Sequence, residues 1–144
     1  MPNLPCLCGS FRRAARALTQ LYEEALRPLR MRSAQFTILQ VLSRAGEMPQ
    51  GRLGEMLSMD STTLTRTLAI MRRHGWITER RGEDRRLRWF RLAKDGERQL
   101  RRAEPLWEQV QSRLRRQFGD ATWQQLLQLS TQVANVSKNQ GAEL

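Results

Sequence analysis

Residues 60–92 decide the fold, and they read DSTTLTRTLAIMRRHGWITERRGEDRRLRWFRL. Apolar residues in the first half recur at steps of three and four, which predicts a helix with one inward stripe: Leu64, Leu68 and Met71. Asp60 and Ser61 offer N-terminal caps, and Gly75 terminates the helix. The sequence therefore predicts a short helix with a defined start and end, followed by a change of structure.

The segment after this helix has the pattern of a β-hairpin. Residues 76–81 and 87–92 are the two predicted strands, and residues 82–85 supply the turn between them. The turn is not one of the strong two-residue hairpin signals, so the assignment depends on the two flanking strands.

A short helix is predicted before residue 60. Pro49 fits its first turn, and Leu53 and Leu57 face inward. Only residues 58–60 separate it from the next helix. A short helix, a tight turn, a second helix and a hairpin together form a winged helix-turn-helix.

Two helices are predicted nearer the N-terminus. The first runs from Phe11 to about Leu26 and stops at Pro28. The second begins at a Ser33 cap and ends near Gly46. The second helix completes the winged module, whereas the first has no partner within it.

The chain after the hairpin is predicted to form two helices, one over residues 94–118 and one that Asp120 caps. We expect these helices and the first helix to bury their apolar stripes against each other across a two-fold axis. The predicted fold class is mainly α with a small β-hairpin wing. The predicted domains are an N-terminal segment and dimerisation helix (1–32), a winged helix-turn-helix module (33–92) and C-terminal dimerisation helices (93–144).

The composition indicates a polyanionic partner. The 144 residues include 25 Lys and Arg against 14 Asp and Glu, a formal net charge of +11 at pH 7, and only Lys94 and Lys138 are lysines. Such an excess of positive charge favours a nucleic acid over a membrane surface as the partner. No apolar run approaches the ~18–20 residues of a membrane span, and the first ten residues do not resemble a secretion signal. Two cysteines make no disulfide framework, which indicates a reducing cytosol.

Arginine is densest over residues 72–91, where eight arginines accompany three carboxylates. A solvated charged face is one interpretation. Nucleic-acid contact is favoured, because the run follows a candidate recognition helix and arginine matches phosphates and guanine edges bidentately. Hydroxyls at the helix start can serve as caps or approach phosphates and base edges. The candidate contact residues are Ser61, Thr62, Thr63, Thr65, Arg66, Arg73, Arg85, Arg86 and Arg88.

Four stretches carry a family resemblance: residues 35–39 (QFTIL), 60–66 (DSTTLTR), 73–77 (RHGWI) and 84–92, which begins with DRR. In these the chain resembles the MarR-type winged-helix transcriptional regulators. The resemblance implies an obligate homodimer on a palindromic DNA operator, with the recognition helix in the major groove and the wing in the minor groove. It also implies a minor-groove contact for Arg86, braced by Asp84. Ala93 departs from the family, which commonly has a capping threonine there.

Cys6 and Cys8 form the second candidate site. Two cysteines are too few for a structural zinc site of ~4 ligands, and a disulfide within so short a loop would be strained. Cys8 stands just before the first predicted helix, whose N-terminal dipole, together with Arg12 and Arg13, favours a reactive thiolate. Two unreactive cysteines are the alternative.

The cysteine region is similar to the organic-hydroperoxide-sensing branch of the same family. Alignment on residues 14–22 places the reactive cysteine of that branch on Cys8 and one partner tyrosine on Tyr22. The branch has further tyrosines where this chain has Arg12 and Ser33. The similarity implies a thiol sensor with an incomplete tyrosine set.

Nothing in the sequence indicates catalysis. His74 is the single histidine, and there is no Gly-rich phosphate loop, metal-ligand cluster or carboxylate pair. We therefore expect no enzyme activity, no metal and no cofactor. Family analogy places a small-molecule pocket between the winged module and the dimerisation helices, near Tyr22, Phe36 and Leu39.

These features predict a cytoplasmic, sequence-specific DNA-binding regulator, a homodimeric repressor that a small ligand releases from double-stranded DNA. A peroxide-sensing regulator that acts through Cys8, with Cys6 beside it, is one alternative. An RNA-binding winged-helix protein is the alternative from another class, because it would use an arginine-rich wing without a symmetric dimer.

Overall fold

The structure is a computed structural model that describes residues 5–140. A 3-10 turn at Arg27–Leu29 follows the first helix. The helices and strands of this part of the chain, in order, are α1 (Leu7–Leu26), α2 (Ser33–Ala45), β1 (Met48–Pro49), α3 (Gln50–Leu57), α4 (Ser61–Arg73), β2 (Ile77–Arg81), β3 (Arg88–Leu92), α5 (Lys94–Phe118) and α6 (Asp120–Gln140).

The predicted fold class is confirmed: the protein is mainly α-helical with a small hairpin wing. Strands β2 and β3 pair antiparallel, with Ile77 opposite Leu92 and Arg81 opposite Arg88. The helix-turn-helix consists of α3 and α4. We use the term wing for β2, β3 and the loop of residues 82–87 between them.

Strand β1 is absent from the sequence prediction, which placed Pro49 in the first turn of α3. In the structure Met48 pairs with Phe90 and Pro49 with Trp89, so that β1 completes a three-stranded sheet in the order β1-β3-β2. Proline is tolerated in this edge strand because an edge residue need not donate to a ladder hydrogen bond. A two-residue strand shows no periodicity, and sequence patterns therefore do not reveal it.

Helix α4 has the predicted bounds and inward stripe. The carboxylate of Asp60 accepts a hydrogen bond from the backbone N–H of Thr63 at 3.1 Å, which caps the helix. Leu64, Leu68 and Met71 are buried. Gly75 has a φ of +75°, a conformation that glycine adopts without strain as the chain leaves the helix for β2.

Two predicted helix starts are wrong. Helix α1 begins at Leu7 and not at Phe11, and Cys6 takes the N-cap position. Helix α2 begins at Ser33 with Arg32 at the N-cap, one residue earlier than a Ser33 cap requires. Its start is stabilised by the side chain of Gln35, whose Oε1 accepts from the backbone N–H of Arg32 at 2.9 Å.

The chain divides into two compact units, of which the first extends to Trp107. Its core is formed by α2, the helix-turn-helix, the inward face of the sheet and the first half of α5. Burying one large aliphatic side chain contributes about 1.5–3 kcal/mol, so this core stabilises the arrangement of α3, α4 and the wing. The core residues with under 2% exposure are Leu26, Met31, Ile38, Leu39, Leu53, Leu64, Leu68, Met71, Ile77 and Ala103.

The second unit begins at Glu108 and contains the end of α5 together with α6. Gly119, with a φ of +82°, turns the chain between the two helices. The guanidinium of Arg115 donates to Asp120 at 2.6 Å across this turn. Within the described residues, no helix is both long and apolar enough to cross a membrane.

Candidate nucleic-acid interface

The outer face of α4 presents every residue that the sequence prediction assigned to it. All six are exposed: Ser61, Thr62, Thr63, Thr65, Arg66 and Arg73. The hydrogen bonds from Thr63 hold the pKa of the Asp60 carboxyl below its ordinary value, so the capping group is ionised at neutral pH. The helix N-terminus thus presents short hydroxyls and backbone N–H groups, which suit a phosphate oxygen.

One residue outside the predicted set organises this face. Gln50, the first residue of α3, donates from Nε2 to Oγ1 of Thr65 at 2.8 Å. Because the Thr65 oxygen accepts this bond, its own O–H remains a donor for a phosphate or a base acceptor. The two residues are 15 apart in sequence, and no local pattern marks the contact.

The wing tip is braced as the resemblance implied. Asp84 accepts three hydrogen bonds from Arg86, one from the backbone N–H at 3.1 Å and two from the guanidinium at 3.1 and 3.2 Å. The side chain of Arg86 is nevertheless 91% exposed, so it extends from the wing in a fixed direction. Its hydrogen bonds lower the pKa of Asp84. Arg85 is exposed beside it, and its carbonyl accepts from Arg81 at 2.7 Å.

The outer face of the wing is held by a cluster that the sequence did not indicate. Arg80 donates through Nε to both carboxylate oxygens of Glu47, at 2.9 and 3.0 Å, and its guanidinium lies 5.2 Å from the ring centre of Trp89. Arg80 holds the pKa of the Glu47 carboxyl below its ordinary value. A Cβ on Gly82 would lie 2.9 Å from Nε1 of Trp89, so a larger residue at position 82 would clash with the indole ring. The cluster joins β2 and β3 to the turn between α2 and β1.

The inner face of the wing carries a second ion-pair cluster, centred on Glu79. Its carboxylate contacts Arg72, in the last turn of α4, and Nε of Arg88, the first residue of β3, at 3.4 Å. The Glu79 side chain is only 15% exposed, whereas both arginines are about half exposed. Glu79 therefore joins the recognition helix to the wing.

A cleft runs between α4 and the wing. Its larger part has a volume of about 660 Å³ and lies between α3, the start of α4 and the wing tip; Gln50, Ser61, Thr65, Arg86 and Arg88 line it. Its smaller part, about 400 Å³, is lined by Arg72, Glu79, Arg80, Arg81 and Arg88. We call these the hydroxyl end and the arginine end of the cleft. The structure thus brings Ser61, Thr65, Arg86 and Arg88 around one space, while Thr62, Arg66 and Arg73 lie on the adjoining exposed face.

The two cysteines lie at the very start of α1. Cys6 is the N-cap residue, and its carbonyl accepts from the backbone N–H of Ser10 at 3.0 Å. Cys8 lies inside the first turn and not before the helix, which corrects the predicted position. Both thiols are free and exposed.

The three predicted pocket residues lie in different environments. Phe36 and Leu39 are buried in the core, and Phe36 packs against Trp107 with 5.8 Å between ring centres. Tyr22 is half-buried on α1, and burial raises the pKa of its hydroxyl. The described residues contain no group of three or more His, Cys, Asp or Glu that could hold a metal ion.

The winged module matches the model of the MarR family over residues 31–87. The transcriptional regulator MosR of M. tuberculosis, in a crystal structure with DNA, is 34% identical to this chain with a TM-score of 0.84. That match covers 93% of this chain and 97% of MosR. The chain belongs to the MarR family.

Two other MarR-type or helix-turn-helix regulators extend the comparison. The uncharacterized HTH-type transcriptional regulator YwoH of Bacillus subtilis (strain 168) is 31% identical over 91 residues, which are 63% of this chain and 66% of YwoH, just under two thirds. A mutant MarR from E. coli complexed with operator DNA has a TM-score of 0.79 at 23% identity, covering 88% of this chain and 92% of that chain. The latter shows a shared fold.

Membership of the MarR family makes this chain a DNA-binding transcriptional regulator of the winged-helix class.

Proposed function

We propose that this MarR-family protein binds a palindromic operator as a homodimer and represses transcription there. Each subunit places α4 in the major groove and the wing in the adjacent minor groove. The observation that carries the proposal is the pair of exposed arginines on two anchored supports: Arg66 on the capped helix and Arg86 on the wing tip braced by Asp84. MosR, which is 34% identical to this chain, has a crystal structure in complex with DNA, and this supports DNA binding by the proposed regulator.

Exposed apolar residues on α1 and α6 support the homodimer. A soluble monomer rarely leaves several large apolar side chains on one helix open to solvent. On α1 these are Leu7, Phe11 and Leu18, and on α6 they are Leu126, Leu127, Leu129, Val133 and Val136. We therefore assign residues 1–32 and 93–144 to dimerisation and residues 33–92 to DNA binding. The two half-site centres then lie about 10 bp apart.

The proposed regulator works in the cytoplasm without enzymatic activity, and an effector ends repression by changing the spacing of the two recognition helices. A small molecule bound near Tyr22 is the proposed effector. A ligand shifts this equilibrium only if it binds one spacing more tightly than the other.

Selection of bound sites from random duplex DNA tests the proposal most directly. We expect recovery of a palindrome with half-sites about one helical turn apart, and a two-subunit mass in analytical ultracentrifugation. Structured RNA at matched salt is the control for an RNA-binding winged-helix protein. Tighter binding to RNA than to the selected duplex, or a stable monomer at micromolar concentration, would contradict the proposal.

A thiol-regulated repressor is the second candidate. The supporting observation is that both thiols are exposed at the start of α1, Cys6 at the N-cap and Cys8 in the first turn, close to the exposed Leu7 and Phe11. Accessible thiols are the ones that oxidants reach. Peroxide should then release DNA from the wild type but not from Cys8→Ser, and Cys6→Ser tests the neighbouring thiol. Equal release from the wild type and both variants would remove the cysteines from the mechanism.

A further inference from the structure

The proposed DNA geometry has a consequence for the cleft between α4 and the wing. Major and minor grooves of a duplex are separated by one sugar–phosphate strand. If α4 enters the major groove and Arg86 the adjacent minor groove, that strand must cross the cleft. The inference that follows therefore rests on the proposed function.

Both ends of the cleft carry groups that suit phosphate. At the hydroxyl end, Thr65 keeps its O–H as a donor because its oxygen accepts from Gln50. At the arginine end, Arg72 and Arg88 flank Glu79. Arg88 lines both ends, and a small cavity lined by Thr65, Arg72, Glu79 and Arg88 lies between them along α4. Phosphate contacts of this kind fix the register of a protein on DNA.

Without Glu79, the arginine side chains at the arginine end of the cleft would repel each other. Arg88 stands directly opposite Arg81 in the β2–β3 register, and like charges in that position destabilise a strand pair. The Glu79 carboxylate lies between Arg88 and Arg72 and contacts both. The Glu79 carboxylate contacts Arg88 through Nε. Both terminal nitrogens of that guanidinium can therefore donate to a phosphate in a bidentate contact.

We propose that Glu79 is a positioning residue for DNA binding: it holds Arg72 and Arg88 on the two sides of the cleft, where they clamp a phosphate of the strand that separates the grooves. Arg72 thereby joins the contact residues, although the sequence prediction did not include it. Glu79 does not itself touch DNA, and its effect passes through the two arginines.

The charge of Glu79 makes this proposal testable, because two effects have opposite signs. A carboxylate near DNA repels phosphates, so its removal alone would strengthen binding. Loss of positioning would weaken binding instead. We expect Glu79→Gln to weaken operator binding about tenfold and to reduce the slope of log K against log[salt] by about 1 to 2, since one or two phosphate contacts are lost.

Glu83→Gln is the matched control. It removes the same charge from the exposed wing turn, where the described residues show no ion pair to Glu83. It should leave operator affinity unchanged or raise it. Thermal unfolding of each variant separates an unfolded wing from a folded wing with misplaced arginines. If only the positions of the arginines change, the Tm stays within a few degrees of the wild type.

A double-mutant cycle identifies the route of the effect. In an Arg72→Ala, Arg88→Ala background, Glu79→Gln should no longer weaken binding, because the residues it positions are gone. If Glu79→Gln fails to fold, operator binding by Arg72→Ala and Arg88→Ala still tests the clamp. In each of these variants the slope of log K against log[salt] should fall by about 1. Unchanged slopes, or a Glu79→Gln variant that binds as tightly as Glu83→Gln, would overturn the inference while leaving the proposed function intact. A wild type that binds no duplex DNA would overturn both.

Discussion

Gln50 and Thr65 form a 2.8 Å hydrogen bond that connects the first residue of α3 to the outer face of the recognition helix. Leu53 of α3 and Leu64 of α4 are both buried in the hydrophobic core that the two helices share. The Gln50–Thr65 contact acts at the surface, where DNA is expected. It joins α3 to α4 and leaves the Thr65 O–H as a donor that points away from Gln50.

We predict that Gln50→Ala weakens operator binding several-fold with little change in stability, because Thr65 loses its fixed orientation. Thr65→Val should have a similar effect. In the double variant the losses should not add, and the coupling should be about 0.5–1.5 kcal/mol, the usual net contribution of one hydrogen bond. Binding isotherms for the four proteins on one operator measure it. Fully additive losses would mean that the two residues act separately.

A second prediction concerns Gly96, in the first turn of α5. A Cβ built there would lie 2.0 Å from the carbonyl oxygen of Trp76, which also accepts from the N–H of Ala93 at 2.9 Å. Ala93 occupies the position where the family commonly has threonine, and α5 still begins at Lys94. Helix α5 can approach the Trp76 carbonyl this closely only because residue 96 is glycine.

Gly96→Ala should therefore destabilise the fold by about 1–3 kcal/mol or more, the usual range for overpacking a tight contact. Gly51→Ala is the matched control within helix α3, where an added Cβ meets nothing within 4 Å. That variant should gain about 0.5–1 kcal/mol, because alanine is the better helix former. Urea unfolding of both proteins checks the pair. Equal stabilities would show that the Trp76 carbonyl can move away at no cost.

A third prediction concerns acid stability. Glu47 has a lowered pKa because Arg80 donates to it, so its stabilising effect is complete above the unfolded value of about 4.5 and is lost as the pH falls through the lower folded value. Glu47→Gln should thus reduce the stability at neutral pH and flatten the decline of unfolding free energy on acidification. Glu83→Gln serves as the control. A parallel decline in Glu47→Gln and the wild type would contradict the assignment.

The parts of this protein that sequence could predict are those with a local pattern. The stripe of α4 repeats at helical spacing, and Asp60 and Gly75 mark its ends, so the recognition helix and its exposed residues were predictable. Strand β1 has two residues and shows no period. The contacts Gln50–Thr65 and Glu47–Arg80 join residues that are 15 and 33 apart in sequence. In the sequence, a carboxylate that binds an arginine cannot be distinguished from one that is only solvated. The positioning residues of the site were therefore invisible to sequence patterns.

The last prediction separates base reading from phosphate contact on the proposed operator. Arg66 is exposed on α4 and can reach a guanine edge, so Arg66→Ala should lose about 1–3 kcal/mol on the operator and much less on scrambled DNA. Arg86→Ala should weaken binding to both DNAs more evenly and reduce the salt slope by about 1. Asp84→Asn should show a smaller loss of the same kind as Arg86→Ala, because it frees the wing-tip guanidinium without removing it. Salt titrations of the three variants on both DNAs measure these differences. Identical losses on operator and scrambled DNA for Arg66→Ala would exclude it as a base reader.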